Sequence, residues 1–284
     1  MILTGIAIFS AAFGLTAASN FGSLSQCRDS SSLALTFDDG PSAEEGATRA
    51  VLNLLQRENI RATFFVSAQK TQTDQTEALL SEAFTAGHTI GSHGYKHPKF
   101  TELAAEVVSY NVKKADQLIR QIIGTTPRFF RLPFGETNAT IDLQLKALGK
   151  TTIGWTISTQ DYNVRNGMNP QLVVDRFKEK LNKSNGTIGP VLLLHDIHPL
   201  SVQKFPEVFA YARAKGLKFV SMEECTGITP YTESLGELDF DEVAEDAIGK
   251  ADKEEGNYSA AFSIYSRKDI AGILVLATLF FAWM

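Results

Sequence analysis

The chain has 284 residues, 44% of them hydrophobic and 21% charged, with a formal net charge of −5. These proportions describe an ordinary globular protein with enough apolar residues for one large α/β core or two modest ones. No basic run is interleaved with aromatics, so composition excludes nucleic acid as a partner.

From the N-terminus, Ile2 to Leu15 is an uncharged apolar stretch followed by Thr16-Ala17-Ala18, which predicts a signal peptide over residues 1–18. The stretch is shorter than the ~20 residues a spanning helix needs. Cys27 and Cys225 are the only two cysteines, and in a secreted chain an even count predicts a disulfide between them. Leu33 to Phe37 reads as a strand that ends in Asp38-Asp39-Gly40-Pro41. Adjacent carboxylates repel, so such a pair belongs either to a turn with a helix cap or to a site where a cation or a proton-transfer task holds it.

Beyond this pair, short β-rich runs alternate with helical periodicity. A helix is predicted over 44–57, a strand over 62–66, a helix over 74–85 and a strand over 88–92. The longest helix runs over 102–123 and stops at Gly124. Strands follow at 128–132, 151–157, 191–194 and 217–220, with helices at 141–148, 169–181 and 202–215 between them. Strict β-then-α order implies parallel strands joined by right-handed crossovers. With about seven units, the candidates are an open doubly wound sheet and a TIM-type barrel. No G-x-G-x-x-G follows a strand, which weighs against a dinucleotide fold. Polar candidates instead recur just after several different strands, the arrangement a barrel rim collects.

Three further groups fall at those strand ends. His93 and His97 are four apart in a Gly/Pro-rich loop; alone they suit a surface turn, and with one carboxylate of the Asp38-Asp39 pair they complete a set for a divalent ion, a zinc-like hydrolytic metal or non-haem iron. A zincin-type motif is excluded because Gly94 stands where its Glu would be. Arg131 leads Leu132-Pro133-Phe134-Gly135 and suits either a turn or the ionisation of a nearby carboxylate. His195 follows the apolar run Val191 to Leu194, as a core histidine or as a proton donor to a leaving group.

In this order, the T-F-D-D-G-P of residues 36–41, His93 with His97, R-x-P-x-G from Arg131 and L-x-H from Leu193 resemble the polysaccharide deacetylase family, carbohydrate esterase family 4. The resemblance spans residue 33 to about 222 and implies a distorted (β/α) barrel of about seven units. It also implies metal-dependent removal of N-acetyl groups from chitin-like or peptidoglycan-like glycans containing N-acetylglucosamine. Carried across residue by residue, Asp39, His93 and His97 hold the metal, zinc in first place with cobalt or another divalent ion as the alternative. Asp38 is the general base tuned by Arg131, and His195 is the general acid oriented by Asp161. The substrate meets Phe134, Tyr162 and Leu193, with the Phe134 backbone N–H helping to bind the oxyanion. Three places depart from the family pattern: Gly94 replaces a small hydroxyl residue, Phe134 a tyrosine, and Ser158 with Tyr162 an Asp and a Trp. The competing readings are a catalytically weak or inactive glycan-binding surface protein and, from another class, a non-haem iron oxygenase.

The predicted deacetylase domain occupies residues 27–226. Residues 231–256 then carry ten acids against two lysines, which predicts an acidic, disordered linker over 227–258. A small-residue site near Ser259-Ala260-Ala261, a polar spacer and an apolar tail to Met284 predict a lipid-anchor attachment signal over 259–284. Four sequons, at Asn138, Asn182, Asn185 and Asn257, fit a secretory route. The expectation is a secreted, GPI-anchored monomer that meets the membrane only through that anchor.

Overall fold

The computed structural model describes residues 22–43, 46–184 and 186–232. The predicted signal peptide, the linker beyond Thr232, the anchor signal and the sequons at Asn185 and Asn257 lie outside these residues. Among the described residues, no helix is long and apolar enough to cross a membrane.

The strands are β1 (Gln26–Cys27), β2 (Ser32–Asp38), β3 (Thr63–Val66), β4 (Thr89–Ser92), β5 (Thr126–Pro127), β6 (Phe129–Phe130), β7 (Thr151–Thr152), β8 (Ile157–Ser158), β9 (Gly189–His195), β10 (Lys218–Val220) and β11 (Tyr231–Thr232). The helices are α1 (Ala47–Glu58), α2 (Asp74–Thr85), α3 (Ala105–Ile123), α4 (Ala139–Ala147), α5 (Gln171–Lys183), α6 (Pro199–Val202), α7 (Phe205–Ala214) and α8 (Met222–Thr226). The sheet runs β9-β2-β3-β4-β6-β7, parallel throughout, and β8 pairs with the far side of β9 so that the sheet curls back on itself. Residues 24–27 fill the seam. Leu24 N–H donates to Thr152 O at 2.9 Å, Gly154 N–H donates to Leu24 O at 2.9 Å, and β1 pairs with β9. This is the distorted β/α barrel that the family resemblance implies, a barrel being one of the two folds the strand–helix alternation allows.

The two long strands, β2 and β9, are buried on both faces, as parallel strands covered by helices must be. Their alternate residues divide between two cores. Leu33, Leu35, Phe37, Leu192 and Leu194 pack with α1, α5 and α7, whereas Ala34 and Val191 join Phe65, Phe129, Ile153 and Met222 in a second cluster. Cys27 and Cys225 belong to that second cluster and form the predicted disulfide across 198 positions. β11 pairs with β5, and Tyr231 Oη accepts from Ile90 N–H at 3.0 Å, so the end of the described chain is tied to the barrel.

Three predicted elements are shorter or broken. The strand expected over 151–157 divides into β7 and β8 because the Arg131 side chain takes the carbonyls of Ile153 and Gly154, leaving them no strand partner. The strand expected over 128–132 reduces to β6, since Arg131 and Leu132 already turn toward the rim. The helix expected over 202–215 begins earlier and breaks between α6 and α7, where Pro206 starts a new first turn. All seven parallel strands of the ring end at one rim, which places Asp38, Ser92, Phe130, Ser158 and His195 around a common centre.

Candidate active site

Register delivers the chemistry. Asp38 is the direct partner of His195 across β2 and β9, and Ser92 is the partner of Phe130 across β4 and β6. The residues that follow, His93 and Arg131, are therefore neighbours too, and His93 Nδ1–H donates to Arg131 O at 2.7 Å.

That hydrogen bond fixes the ring with its Nε2 lone pair pointing away, toward the carboxylates. His93 Nε2 and His97 Nε2 each lie 3.5 Å from Asp39 Oδ1, and the three ligand atoms are all within 4.8 Å of one another. The two 3.5 Å separations are close to those of adjacent ligands on a divalent ion bound at about 2.0–2.2 Å. A carbonyl holding the second nitrogen of a ligand histidine is also what metal sites use to set the tautomer. Burial and the neighbouring His93 lower the pKa of His97 to about 4, so its imidazole is neutral and able to coordinate near pH 7. Burial raises the pKa of Asp39, but the three nearby histidines and Lys70 outweigh it, and the carboxyl stays below the usual range. The residues fit a divalent-metal site, with two imidazoles and one carboxylate leaving positions open.

Asp38 turns the other way. Its Oδ1 accepts from Arg131 Nη1 at 2.7 Å, and the same guanidinium donates to Thr36 Oγ1 at 2.7 Å, Gly154 O at 2.8 Å and Ile153 O at 3.3 Å. Arg131 is fully buried and lies 4.1 Å from the centroid of the Phe65 ring. Four acceptors and an aromatic face make this a site for arginine and not for lysine. The consequence is that two adjacent carboxylates have different main partners: Asp39 has both histidines at 3.5 Å, whereas Asp38, 4.0 Å from His93, is bonded to a permanent cation.

On the opposite wall, His195 Nδ1–H donates to Asp161 Oδ1 at 2.9 Å, and His195 N–H donates to Asp161 Oδ2 at 2.8 Å. Asp161 is held in turn by Thr159 Oγ1 and, through its carbonyl, by Ser201 Oγ. Burial pulls the His195 pKa down, yet the Asp161 charge and hydrogen bond, with Asp38 and Asp39, bring it up to about 9. The ring of Tyr162 packs edge-on to His195 at 5.3 Å, and that of Phe134 packs edge-on to His97 at 4.6 Å. Both aromatics are exposed beside the site. Leu193 is buried two residues before His195 on the same side of β9.

Residues 25–153 match the family described as polysaccharide deacetylase. A family 4 carbohydrate esterase from Streptomyces lividans, solved with acetate, is 30% identical and superposes with a TM-score of 0.57 over 73% of this chain and 98% of that one. The chain belongs to the polysaccharide deacetylase family. The chitin deacetylase of Colletotrichum lindemuthianum superposes with a TM-score of 0.70 at 25% identity, over 76% of this chain and 99% of that one. The peptidoglycan-N-acetylglucosamine deacetylase PgdA of Listeria monocytogenes is 30% identical over 196 residues, 69% of this chain. This chain spans 39% of the length of that relative.

Within the polysaccharide deacetylase family, two of this chain's departures from the usual pattern have local substitutes. Gly94 has φ +86°, and a Cβ there would come within 2.6 Å of Asn111 Oδ1. Asn111 Oδ1 instead accepts from Tyr95 N–H at 2.8 Å, so a residue of α3 braces the histidine loop where a hydroxyl is expected. Tyr162 occupies the rim beside His195, an aromatic in the place where Trp is usual. Ser158 only supports its own turn, with Oγ accepting from Gln160 N–H at 3.2 Å.

Sequence reasoning assigned no task to Asp196 or Thr48. Asp196 is buried, its Oδ2 accepts from Thr48 Oγ1 at 2.6 Å, and Thr48 Oγ1 in turn accepts from Ser42 N–H at 2.8 Å. A Cβ at Gly40 would fall 2.1 Å from the Asp196 carboxylate, so the β2 and β9 loops close on each other only because position 40 is glycine. The signal was present in His195-Asp196 and Gly40, but contact between residues 156 apart is invisible in a linear pattern. Gly40→Ala is expected to cost about 1–3 kcal/mol through overpacking and to weaken divalent-ion affinity roughly 10–100-fold by displacing Asp39. Thermal unfolding and metal titration check this, and adding Asp196→Ser should recover part of both losses.

Proposed function

We propose that this chain is a metal-dependent hydrolase that removes N-acetyl groups from chitin-like polysaccharide containing N-acetylglucosamine, with zinc at Asp39, His93 and His97. The observation that carries the reading is the division of labour between adjacent carboxylates, Asp39 among the histidines and Asp38 on Arg131 opposite His195.

An amide is a poor electrophile, and a divalent ion supplies polarisation of its carbonyl and an acidified water. The other requirements fall to side chains. Asp38, hydrogen-bonded to Arg131, removes the proton of the attacking water. The Phe134 backbone N–H takes the role of donor to the developing oxyanion. His195, protonated on the Asp161 side, delivers its Nε2 proton to the sugar nitrogen, which leaves as an amine. Tyr162 and Leu193 border the acetyl group. The disulfide supports an oxidising compartment, and the same reading places the protein at the cell surface as a GPI-anchored monomer, which release by a phosphatidylinositol-specific phospholipase would test.

The deciding experiment is acetate release from N-acetylglucosamine oligomers. Activity is expected to vanish on chelation and return with zinc or cobalt; a metal-loaded preparation that releases no acetate from chitin or peptidoglycan fragments overturns the reading and leaves glycan binding alone.

His195 also makes stability depend on pH. Its pKa rises from 6.5 to about 9 on folding, so its contribution is fully present below 6.5 and is lost as pH rises through 9. The loss is about 3 kcal/mol in metal-free protein. Urea unfolding at pH 6.5 and pH 10 should show it in the parent chain, whereas in His195→Gln the difference should be smaller by about that amount. Equal pH dependence in the two proteins would refute the assignment.

A further inference from the structure

The segment that brings Asp161 to His195 leaves the sheet early. β8 pairs with β9 only at Ile157 and Ser158, and Gln160 then takes a left-handed φ of +56° just before Asp161. A residue other than glycine keeps that conformation only where its surroundings hold it. Carbonyls that leave a ladder also need new donors, and here both come from α5. Lys180 Nζ donates to Ser158 O at 2.9 Å, and Arg176 Nη1 donates to Thr159 O at 3.3 Å.

Arg176 and Lys180 are four apart, so one helix face presents both. Beneath them α5 is anchored in the main core by Val173, Val174, Phe177 and Leu181. Arg176 Nη1 also donates to Met168 Sδ at 2.8 Å, and Glu179, the acid between the two cations, bonds to Lys183 at 2.6 Å. From the two carbonyls the path to His195 is short. Thr159 Oγ1 donates to Asp161 Oδ1 at 3.3 Å, and Asp161 accepts both His195 Nδ1–H and His195 N–H. Thr159 and Asp161 are fully buried. Because the cations bind backbone oxygens, their hold does not depend on which side chain stands at position 158.

We propose that Arg176 and Lys180 are positioning residues for the acid arm of the site: from α5 they fix the loop that aims Asp161 at His195. The part His195 plays, protonating the departing amine, rests on the deacetylase reading above, whereas the hold of α5 on the Asp161–His195 pair does not. If the two side chains only satisfied carbonyls, losing one would lower Tm and leave the folded enzyme's chemistry alone. As charges acting through space they would depress the His195 pKa, and deleting either would raise it. Positioning has the opposite sign. Burial lowers the His195 pKa and Asp161, with Asp38 and Asp39, lifts it to about 9, so a loosened Asp161 lets it fall toward 6.5.

The test uses the full chain with Lys180→Met and Arg176→Met, which remove a donor, and Lys180→Arg, which keeps one. His195 is titrated by NMR in metal-free protein, its imidazole resonance identified by its loss in His195→Gln. In zinc-loaded protein, kcat and KM are measured for acetate release from an N-acetylglucosamine tetramer. Each Met variant is expected to lower the His195 pKa and to reduce kcat about tenfold, with KM and zinc affinity changed less than about twofold; Lys180→Arg should stay within about threefold of the parent chain. A His195 pKa that is unchanged or raised in the Met variants, or an unchanged kcat per folded molecule, overturns the positioning role while the deacetylase reading stands. Gln variants, which keep a polar helix surface, replace any Met variant that does not fold. Should the parent chain release no acetate, the deacetylase reading fails and the titration alone decides. A lowered His195 pKa then supports the hold of α5 on the pair, and an unchanged or raised one removes it.

Discussion

Asp39→Asn should fold like the parent chain yet lose tight divalent-ion binding and about 10³-fold of acetate release. Asp39 sits at φ +74°, in the left-handed region, with its N–H donating to Phe65 O at 3.2 Å. Alanine would confound the test because a side chain without a local polar group is disfavoured there by roughly 1–2 kcal/mol, whereas asparagine tolerates the conformation almost as well as aspartate. The substitution then removes one anionic ligand and little else. A neutral amide oxygen is a weak partner for a divalent ion, and the charge stabilisation forfeited is several kcal/mol, which is the source of the rate estimate. Metal titration, acetate release and thermal unfolding measured together separate the outcomes. Unchanged metal affinity in Asp39→Asn would remove Asp39 from the ligand set, and a large fall in Tm would mean that the residue is structural.

Arg131→Met is expected to destabilise the fold by about 3–5 kcal/mol, the usual consequence of breaking a buried ion pair by deleting one partner. The guanidinium satisfies Asp38, Thr36 and two backbone carbonyls, and no water-exposed route replaces it, since Arg131 is 0% and Asp38 is 3% exposed. An uncompensated carboxylate in that interior favours its protonated form and ceases to act as a base. Activity should fall at least about 10²-fold, even in preparations that stay folded and load metal. Arg131→Met combined with Asp38→Leu separates the two effects. Removing both charges should recover most of the stability and none of the activity. If the single variant were as stable as the parent chain, the pair would carry no structural weight.

Much of this was legible in one dimension. The alternation of apolar β runs with helical periodicity, together with the polar groups after several strands, pointed to a barrel rim, because strand period and helix period leave separate marks on the sequence. Asp38-Asp39, His93, His97, Arg131 and His195 each had a plain structural reading when taken singly, and it was their combination and order that matched a family. The resemblance assigned Asp39 to the metal and Asp38 to proton transfer, but linear order could not show the geometry around either carboxylate. Register pairs Asp38 with His195 and sets it on Arg131, while the left-handed turn at Asp39 swings the next side chain to the histidines. The broken strand after Thr152, the Asn111 brace behind Gly94 and the Gly40 contact with Asp196 likewise needed three dimensions. Each is a contact between residues far apart in sequence, set by how strands and loops close on one another, and composition and spacing record only what neighbours along the chain require.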